Sequence, residues 1–286
     1  MTITFLGTGS AFTMKNWQTN ILIDLNEERE NDPHKRLLID CGSDIRFALQ
    51  EHGLSFRDIG NVFISHLHAD HIGGLEWLGF TTYFSKIFPT RIVDGEEQAS
   101  APGIFISQTL KDDLWRSLSG GMKSLQNRIN SIGSYFDVRE LGKNQSFYLD
   151  DDSNNEMLIS MDFKPVQVIH IYDGWSIQPA FGLMIQSFKE NCPKIFFTCD
   201  SQFCPHQIMD FYKEADIIVH DCETTPYKSG VHAHITELET LPDEIKKKMW
   251  LTHYQDNVVD SWGEWNNRVH EQGFKGFVKK GTVWEF

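Results

Sequence analysis

Short apolar runs separated by turn-forming residues dominate the first seventy positions of the chain. Ile3 and Phe5 alternate with polar residues, and the turn segment Gly7-Thr8-Gly9-Ser10 follows them. Alternation of this kind and short apolar runs are typical of β-strands, whereas an apolar period of 3.6 residues indicates a helix. The pattern predicts strands at residues 3–5, 21–23, 37–39 and 61–65, and a helix at residues 44–52.

In the second half of the chain, predicted strands and helices alternate. Strands are predicted at residues 163–170, 181–187, 194–198 and 216–219, and helices at residues 207–214 and 260–271. A closing hairpin is predicted from residues 276–278 and 282–285. The middle of the chain predicts a helix at residues 108–118, a break at Gly120-Gly121 and an exposed loop at residues 150–155.

The composition places the chain among globular proteins that bury a substantial core. It has 286 residues, of which 40% are hydrophobic and 23% are charged. Layered, β-rich folds often reach this length without dividing into domains. We therefore expect a layered α/β fold in which residues 1–286 form a single domain, with an insertion at approximately residues 77–162.

The charge balance bears on the substrate class. The formal net charge of −14 repels polyanions, so binding of extended nucleic acid is not expected. A small anionic substrate remains compatible if divalent metal ions supply positive charge locally. The five cysteines suggest no disulfide framework, and the sequence shows neither a secretory leader nor an apolar run of membrane-spanning length. We expect a soluble, cytoplasmic protein without membrane contacts.

Four candidate metal ligands lie within six positions directly after the predicted strand at residues 61–65. The segment reads Ser65-His66-Leu67-His68-Ala69-Asp70-His71-Ile72-Gly73-Gly74. In an extended turn, His66 and His68 point the same way, while Asp70 and His71 can turn toward a second point nearby. A lone histidine is more often an ordinary surface or core residue, but this spacing is far more specific. Imidazole and carboxylate ligands without thiolate suit a catalytic pair of zinc or manganese ions.

The motif resembles the signature of the metallo-β-lactamase superfamily, and the likeness extends along nearly the whole chain. Residues 5–11 (Phe-Leu-Gly-Thr-Gly-Ser-Ala) and residues 38–42 (Leu-Ile-Asp-Cys-Gly) are similar to segments of its ribonuclease Z-like branch. Residues 9–20, 196–203 and 231–238 resemble the cyclic-nucleotide phosphodiesterases of this fold, which include the anti-Pycsar proteins. The resemblance implies an αββα sandwich with a middle insertion.

The resemblance also implies the ligands of two divalent metal ions. His66, His68 and His170 would hold one ion, Asp70, His71 and His253 would hold the other, and Asp200 would bridge them. Asp200 follows the predicted strand at residues 194–198, so its carboxylate can emerge at the same sheet edge as the histidine motif. The neighbouring Cys199 is expected to be embedded in that strand and chemically inert.

Two adjacent metal ions suit hydrolysis of a phosphodiester by a metal-bound hydroxide, and the leaving oxygen then needs a proton. His234, in a His-Ile-Thr segment similar to the His-Ser-Thr motif of the branch, is the first candidate donor and His232 the second. The predicted catalytic residues are His234, Asp70, Glu223 and His232. Glu223 or Asp221 could orient His234, or the two carboxylates could serve only as hydrogen-bond acceptors in an ordinary turn. In the alternative, Thr236 caps the following helix and the histidines have no role.

The sequence is compatible with three functions. The first is a phosphodiesterase with two metal ions that hydrolyses 3′,5′-cyclic mononucleotides. The second is a ribonuclease Z-like endonuclease acting on the 3′ end of tRNA, although the sequence shows no Gly-rich, basic arm to grip tRNA. The third is a binding module without catalysis, which the complete set of ligand positions disfavours.

The resemblance implies a homodimer whose pocket takes residues from both subunits. The middle of the chain is rich in aromatic residues, and large apolar patches mark partner surfaces. The predicted interface residues are Trp77, Phe80, Tyr83, Phe84, Phe88 and Trp115. In the alternative, these rings cover the protein's own sheet.

Overall fold

The computed structural model of the chain describes residues 1–26, 31–85, 90–93, 96–99, 101–125, 127–149, 161–189 and 191–286. In chain order its strands are β1 (Thr2–Gly7), β2 (Asn20–Asp24), β3 (Arg36–Ile39), β4 (Asn61–Ile64), β5 (Thr90–Val93), β6 (Glu96–Ala99), β7 (Gly103–Ser107), β8 (Ser124–Leu125), β9 (Arg128–Ile129), β10 (Asp137–Leu141), β11 (Met161–Val168), β12 (Ala180–Ser187), β13 (Ile195–Phe197), β14 (Ile217–Asp221), β15 (Met249–Thr252), β16 (Gly276–Phe277) and β17 (Val283–Glu285). Its α-helices are α1 (Ile45–Glu51), α2 (Ala69–Ile72), α3 (Leu75–Ser85), α4 (Lys111–Met122), α5 (Pro205–Glu214), α6 (Ile235–Leu238), α7 (Asp243–Lys246), α8 (Asp256–Asp260) and α9 (Trp262–Glu271). Short 3₁₀ turns lie at Pro33–Lys35, Phe56–Asp58 and Ile132–Ser134.

Two large sheets organise the described strands. The first has the order β10-β7-β4-β3-β2-β1-β17, and the second has the order β11-β12-β13-β14-β15-β16. Strands β3, β4, β7 and β10 run parallel in the first sheet, and β13 to β16 run parallel in the second. Two small two-stranded sheets, β5-β6 and β8-β9, complete the set.

Alternate residues of the central strands face opposite layers, as the two-residue period of a strand requires. On β3, Leu37 and Ile39 belong to the core between the two sheets, whereas Leu38 packs toward the helices. On β13, Phe197 likewise faces between the sheets and Phe196 faces the helices. Each sheet therefore has a second apolar face that must be covered from outside.

Helices cover both of these outer faces. Helices α1, α3 and α4 pack on the first sheet, and α5, α6, α7 and α9 pack on the second. In α1 the buried residues are Ile45, Ala48 and Leu49, the spacing of one face of an amphipathic helix. The layers follow the order helix, sheet, sheet, helix, which confirms the predicted αββα sandwich. None of the described helices is both long and apolar enough to cross a membrane.

Most predicted elements lie within a few residues of their observed positions, but three differ. The break predicted at Gly120-Gly121 does not form, because α4 continues through both glycines. The predicted closing hairpin is also wrong, since β16 pairs with β15 in the second sheet and β17 pairs with β1 in the first. Between them the chain crosses sheets, and the Gly281 N–H donates to the Phe5 carbonyl at 2.8 Å. The predicted helix at residues 260–271 is divided at Ser261 into α8 and α9.

The middle of the chain is integral to the first sheet, because β7 pairs with β4 and β10 pairs with β7. Of the predicted interface residues, Trp77, Phe80, Tyr83 and Trp115 pack against the protein's own core, and Phe84 is exposed. For those four rings the alternative, in which they cover their own sheet, is confirmed. Phe88 and the loop predicted at residues 150–155 lie outside the described residues. That residues 77–162 form a family-specific insertion stays a prediction.

Candidate metal centre

Three histidines and one aspartate form the first group of metal-donor atoms. His66 and His68 follow the end of β4, and His170 follows the end of β11. The Nε2 atoms of His66 and His170 lie 3.0 and 3.2 Å from Nδ1 of His68. Nitrogens bound to one tetrahedral zinc ion are about 3.3 Å apart, given zinc–nitrogen bonds of about 2.0–2.1 Å. Oδ2 of Asp200 lies 3.8 Å from both Nε2 atoms.

The second group contains Asp70, His71, Asp200 and His253. Nε2 of His71 lies 3.2 Å from Oδ2 of Asp70 and 3.2 Å from Oδ2 of Asp200. Nε2 of His253 lies 3.9 Å from Oδ2 of Asp70, and its Nδ1 lies 3.0 Å from Oδ1 of Asp200. Asp200 belongs to both groups, which is the placement that a bridging carboxylate requires. All seven metal ligands predicted from the sequence are thus brought together.

The donor atoms fit a pair of divalent ions. In the part of the chain described, Nε2 of His71 and both ring nitrogens of His253 are buried beside carboxylate oxygens of Asp70 and Asp200 but form no hydrogen bond of good geometry. Such atoms are costly unless an ion satisfies them. Burial, reinforced by the nearby His71, holds the pKa of His66 well below its usual range, so this ring is in the neutral form that binds metals. Burial opposes ionisation of Asp200, but His253 and His71 outweigh it and hold the carboxyl pKa well below its usual range.

Asp40, which was not among the site residues predicted from the sequence, supports ligands of both groups. Oδ2 of Asp40 accepts hydrogen bonds from Nδ1 of His71 at 2.7 Å and from the Ser65 hydroxyl at 2.7 Å. The same hydroxyl lies 3.0 Å from Nδ1 of His66. These contacts fix the orientation of both rings and leave their Nε2 atoms facing the donor groups. The available signal was an acidic residue placed directly after the buried strand β3.

His170 and His232 are positioned by neighbouring loops. Nδ1 of His170 donates to the Val231 carbonyl at 2.8 Å, which directs its Nε2 toward the first group. Nδ1 of His232 donates to Oδ2 of Asp221 at 2.7 Å and lies 4.0 Å from Oδ2 of Asp200. His232 therefore lies beside the metal centre, and the carboxylate that orients it is Asp221.

His234 caps helix α6 instead. Its Nδ1 accepts from the Thr236 N–H at 3.3 Å and lies 2.8 Å from the Thr236 hydroxyl, and its Nε2 donates to the Thr225 carbonyl at 2.9 Å. Glu237 completes the cap by accepting from the His234 N–H at 3.1 Å. The alternative expectation from the sequence placed this cap at Thr236, two residues after the observed cap residue. Both ring nitrogens of His234 are thus engaged in hydrogen bonds.

Glu223 does not orient His234 through its side chain. Its Oε2 accepts the Ser229 N–H at 2.9 Å, and its backbone pairs with Ala233 and Ile235. Catalytic roles for Glu223, and for Asp70 beyond metal binding, stay predictions.

Three residues of the site that are not glycine adopt left-handed backbone conformations. The φ angles are 62° at Asp40, 49° at Cys199 and 60° at His253. The expectation that Cys199 lies within a strand is wrong, because β13 ends at Phe197 and the backbone turns sharply there. Burial raises the pKa of the Cys199 thiol well above its usual range, as expected of an inert cysteine.

One family model matches the chain along almost its whole length. It is described as anti-Pycsar protein Apyc1 and matches residues 1–284. An anti-Pycsar protein Apyc1 from Paenibacillus harenae is 31% identical over 260 residues, which cover 90% of this chain and 91% of that protein. The chain belongs to the anti-Pycsar Apyc1 family. Another Apyc1 protein, from Paenibacillus sp. (strain J14), is 30% identical over 272 residues and covers 93% of this chain and 96% of its own length.

Solved structures place this Apyc1 family member in the metallo-β-lactamase fold. YhfI from Bacillus subtilis, a metallo-β-lactamase fold protein, aligns with a TM-score of 0.66 at 16% identity over 100% of this chain and 99% of its own. The short form of human tRNase Z gives 0.63 at 20% identity over 100% and 99%. Yeast PDE1 gives 0.64 at 12% identity over 99% and 98%. At these identities the likeness establishes the fold alone.

Proposed function

We propose that this Apyc1 family member is a phosphodiesterase with two divalent metal ions that hydrolyses 3′,5′-cyclic mononucleotides. The observation that carries the proposal is the pair of donor groups that share Asp200, with His232 and Asp221 beside them. The substrate class comes from the resemblance to the cyclic-nucleotide phosphodiesterases of this fold. Zinc is the proposed metal and manganese the alternative, because the donors are nitrogen and oxygen without thiolate.

Two such ions, when bound, supply a water of lowered pKa and positive charge for the phosphodiester oxygens. The chain's own contribution is a proton held at His232. Oδ2 of Asp221 accepts a hydrogen bond from the Nδ1–H of this ring. Nε2 is therefore the nitrogen that can donate a proton to the leaving oxygen. Burial lowers the pKa of His232, but Asp221 outweighs it and raises the pKa to about 10. Positively charged ions bound nearby would lower the pKa of His232 again, toward neutral pH.

The charge of the molecule supports a small substrate. A formal net charge of −14 disfavours tRNA, whose binding relies on positive side chains that neutralise its phosphates. The binding-only alternative is disfavoured by the complete set of donor atoms and by the histidine beside them.

We also propose, from the same resemblance, a cytoplasmic homodimer. Four of the six aromatic residues expected at the interface are partly buried against the protein's own core, so the interface would use other surfaces. Light scattering at micromolar concentration tests the assembly, and a monomer with full turnover would exclude a pocket shared between subunits.

The function is tested with four substrates given to the zinc-loaded protein. These are 3′,5′-cyclic AMP, 3′,5′-cyclic UMP, a cyclic dinucleotide and a 3′-extended tRNA, with products separated by chromatography. We expect ring opening of both cyclic mononucleotides and no activity in Asp200→Ala. Cleavage of the tRNA alone would replace the proposal with the endonuclease, and no cleavage by protein that holds both ions would replace it with a binding module.

A further inference from the structure

A short hairpin with an exposed tryptophan follows the metal ligand His170. Tyr172 and Ile177 form an antiparallel bridge across it, and Trp175 lies at its tip with 95% of its surface exposed. Tryptophan is a large apolar residue whose ring usually finds a partner. Tyr172 and Ile177, which pair across the same hairpin, are also exposed, and a group of exposed apolar side chains of this kind marks a surface that meets another molecule.

Hydrogen bonds, rather than burial, hold this hairpin in shape. Oδ1 of Asp173 accepts the backbone N–H groups of Trp175 and Ser176 at 2.8 and 2.7 Å, and Oδ2 accepts the Ser176 hydroxyl at 3.0 Å. The Tyr172 hydroxyl donates to the Gly174 carbonyl at 3.0 Å. The backbone of Trp175 is thus fixed before any ligand arrives, which lowers the entropy lost when its ring binds one.

The start of this hairpin lies beside the most exposed of the predicted metal ligands. Among the predicted ligands, His68 is the most exposed, and the others are buried. Nδ1 of His68 lies 3.2 Å from Nε2 of His170. Trp175 is five residues beyond His170, so its Cα lies within about 18 Å of that ligand even in a fully extended chain. A nucleotide whose phosphate lies at the centre and whose base extends past His68 would come within reach of this hairpin.

We propose that Trp175 is the stacking platform for the base of the cyclic nucleotide. This inference rests on the proposed function for its substrate class. Aromatic rings stack on any base, since every base has a π-face, so the contact adds affinity without selecting one base. Trp175 therefore favours nucleotides over other phosphodiesters and serves purines and pyrimidines alike.

The test compares substrates with and without a base. Trp175→Ala is expected to raise KM for 3′,5′-cyclic AMP and cyclic UMP about 10-fold with kcat nearly unchanged, the effect of losing one stacked base. KM for the base-free ribose 3′,5′-cyclic phosphate should not change, and Trp175→Phe should restore most of the affinity. Phe188→Ala is the matched control, because Phe188 is exposed but follows Ser187, which pairs with Met161 at the far end of β11 from His170.

Three results would overturn the inference. An equal loss on the base-free substrate would mean that the hairpin only supports His170. An unchanged KM for both nucleotides would mean that the base lies elsewhere. A shift from dimer to monomer in Trp175→Ala without any base-dependent loss would assign the tryptophan to a second copy of the chain.

A binding measurement separates this inference from the proposed function. The zinc-loaded protein is titrated with 5′-AMP and, separately, with ribose 5-phosphate, while tryptophan fluorescence is recorded. Stacking predicts quenching by 5′-AMP that is lost in Trp175→Phe and is absent with ribose 5-phosphate. If the protein opens no cyclic mononucleotide but this quenching is observed, the proposed function fails and the base platform stands. If the protein hydrolyses cyclic mononucleotides but shows no Trp175-dependent quenching, the proposed function stands and the base platform fails.

Discussion

Asp200 contributes to both groups of donor atoms, whereas His66 contributes to one. We expect Asp200→Ala to lower the bound metal from about two ions per chain to fewer than one, and His66→Ala to lose the ion of its own group. Both variants should lose hydrolysis and keep their fold, because these residues lie on loops beyond strand ends. Elemental analysis and circular dichroism measure this, with the exposed His206→Ala as control. Full hydrolysis by Asp200→Ala would exclude the bridging role.

His232 and His234 are two residues apart and differ in their contacts, which gives opposite expectations for their variants. We expect His232→Ala to keep its metal and to slow cyclic-nucleotide hydrolysis by roughly 100-fold, with a smaller loss for a nitrophenyl phosphodiester that needs no proton donor. His234→Ala should lower the free energy of unfolding by about 1 kcal/mol through loss of the α6 cap. Kinetics and urea denaturation of both variants measure the difference. Slow hydrolysis at unchanged stability in His234→Ala would instead indicate that His234 is the proton donor.

The sequence was informative about the metal ligands because four of them lie in one short segment. It did not identify Asp40, whose partners His71 and Ser65 are more than twenty residues away in the chain. It ranked His234 above His232 from a motif, which specifies residue types and gives no sign of the α6 cap that engages both ring nitrogens of His234. Contacts between distant segments were the part that sequence alone could not supply.

At the scale of elements, two glycines of neighbouring helices provide a matched pair. A Cβ at Gly120 in α4 meets nothing within 4 Å, whereas at Gly79 in α3 it meets the Met122 side chain at 2.7 Å and the Phe136 ring at 2.9 Å. We expect Gly120→Ala to raise the free energy of unfolding by about 0.5–1 kcal/mol and Gly79→Ala to lower it by about 1–3 kcal/mol. Urea denaturation measures both. A stabilised Gly79→Ala would show that the contact between α3 and its neighbours is looser than the structure indicates.

The apolar pattern predicted strands and helices correctly where residues close in sequence determine the structure. The strands β3 and β13 could be predicted from short, continuous apolar runs because each is buried on both faces by different layers. The glycines of α4 did not end it, since Leu114, Leu118 and Met122 bury one continuous face. The prediction of a closing hairpin was wrong because β16 and β17 pair with strands of different sheets and not with each other, although they are close in sequence.

At the scale of the molecule, the donor atoms come from loops of both sheets, so bound ions link the two halves of the sandwich. Ions that bind only the folded state stabilise it by about 2.7 kcal/mol at a free concentration 100-fold above Kd. We expect a chelator to lower Tm by roughly 5 °C or more, given the entropy of unfolding of a chain this large. Calorimetry measures this, and Asp200→Ala should not respond to the chelator. Equal Tm values for wild-type protein with and without chelator would contradict a link between the sheets.

The left-handed backbone at Asp40, Cys199 and His253 has a consequence for the evolution of this chain. Each such conformation costs about 1–3 kcal/mol in a residue other than glycine. Glycine at Cys199 would relieve that cost and also loosen the neighbouring Asp200, so Cys199→Gly should melt at a higher temperature while it binds metal more weakly. Selection for stability alone would therefore favour glycine at this position, whereas selection for metal binding would keep the strained residue.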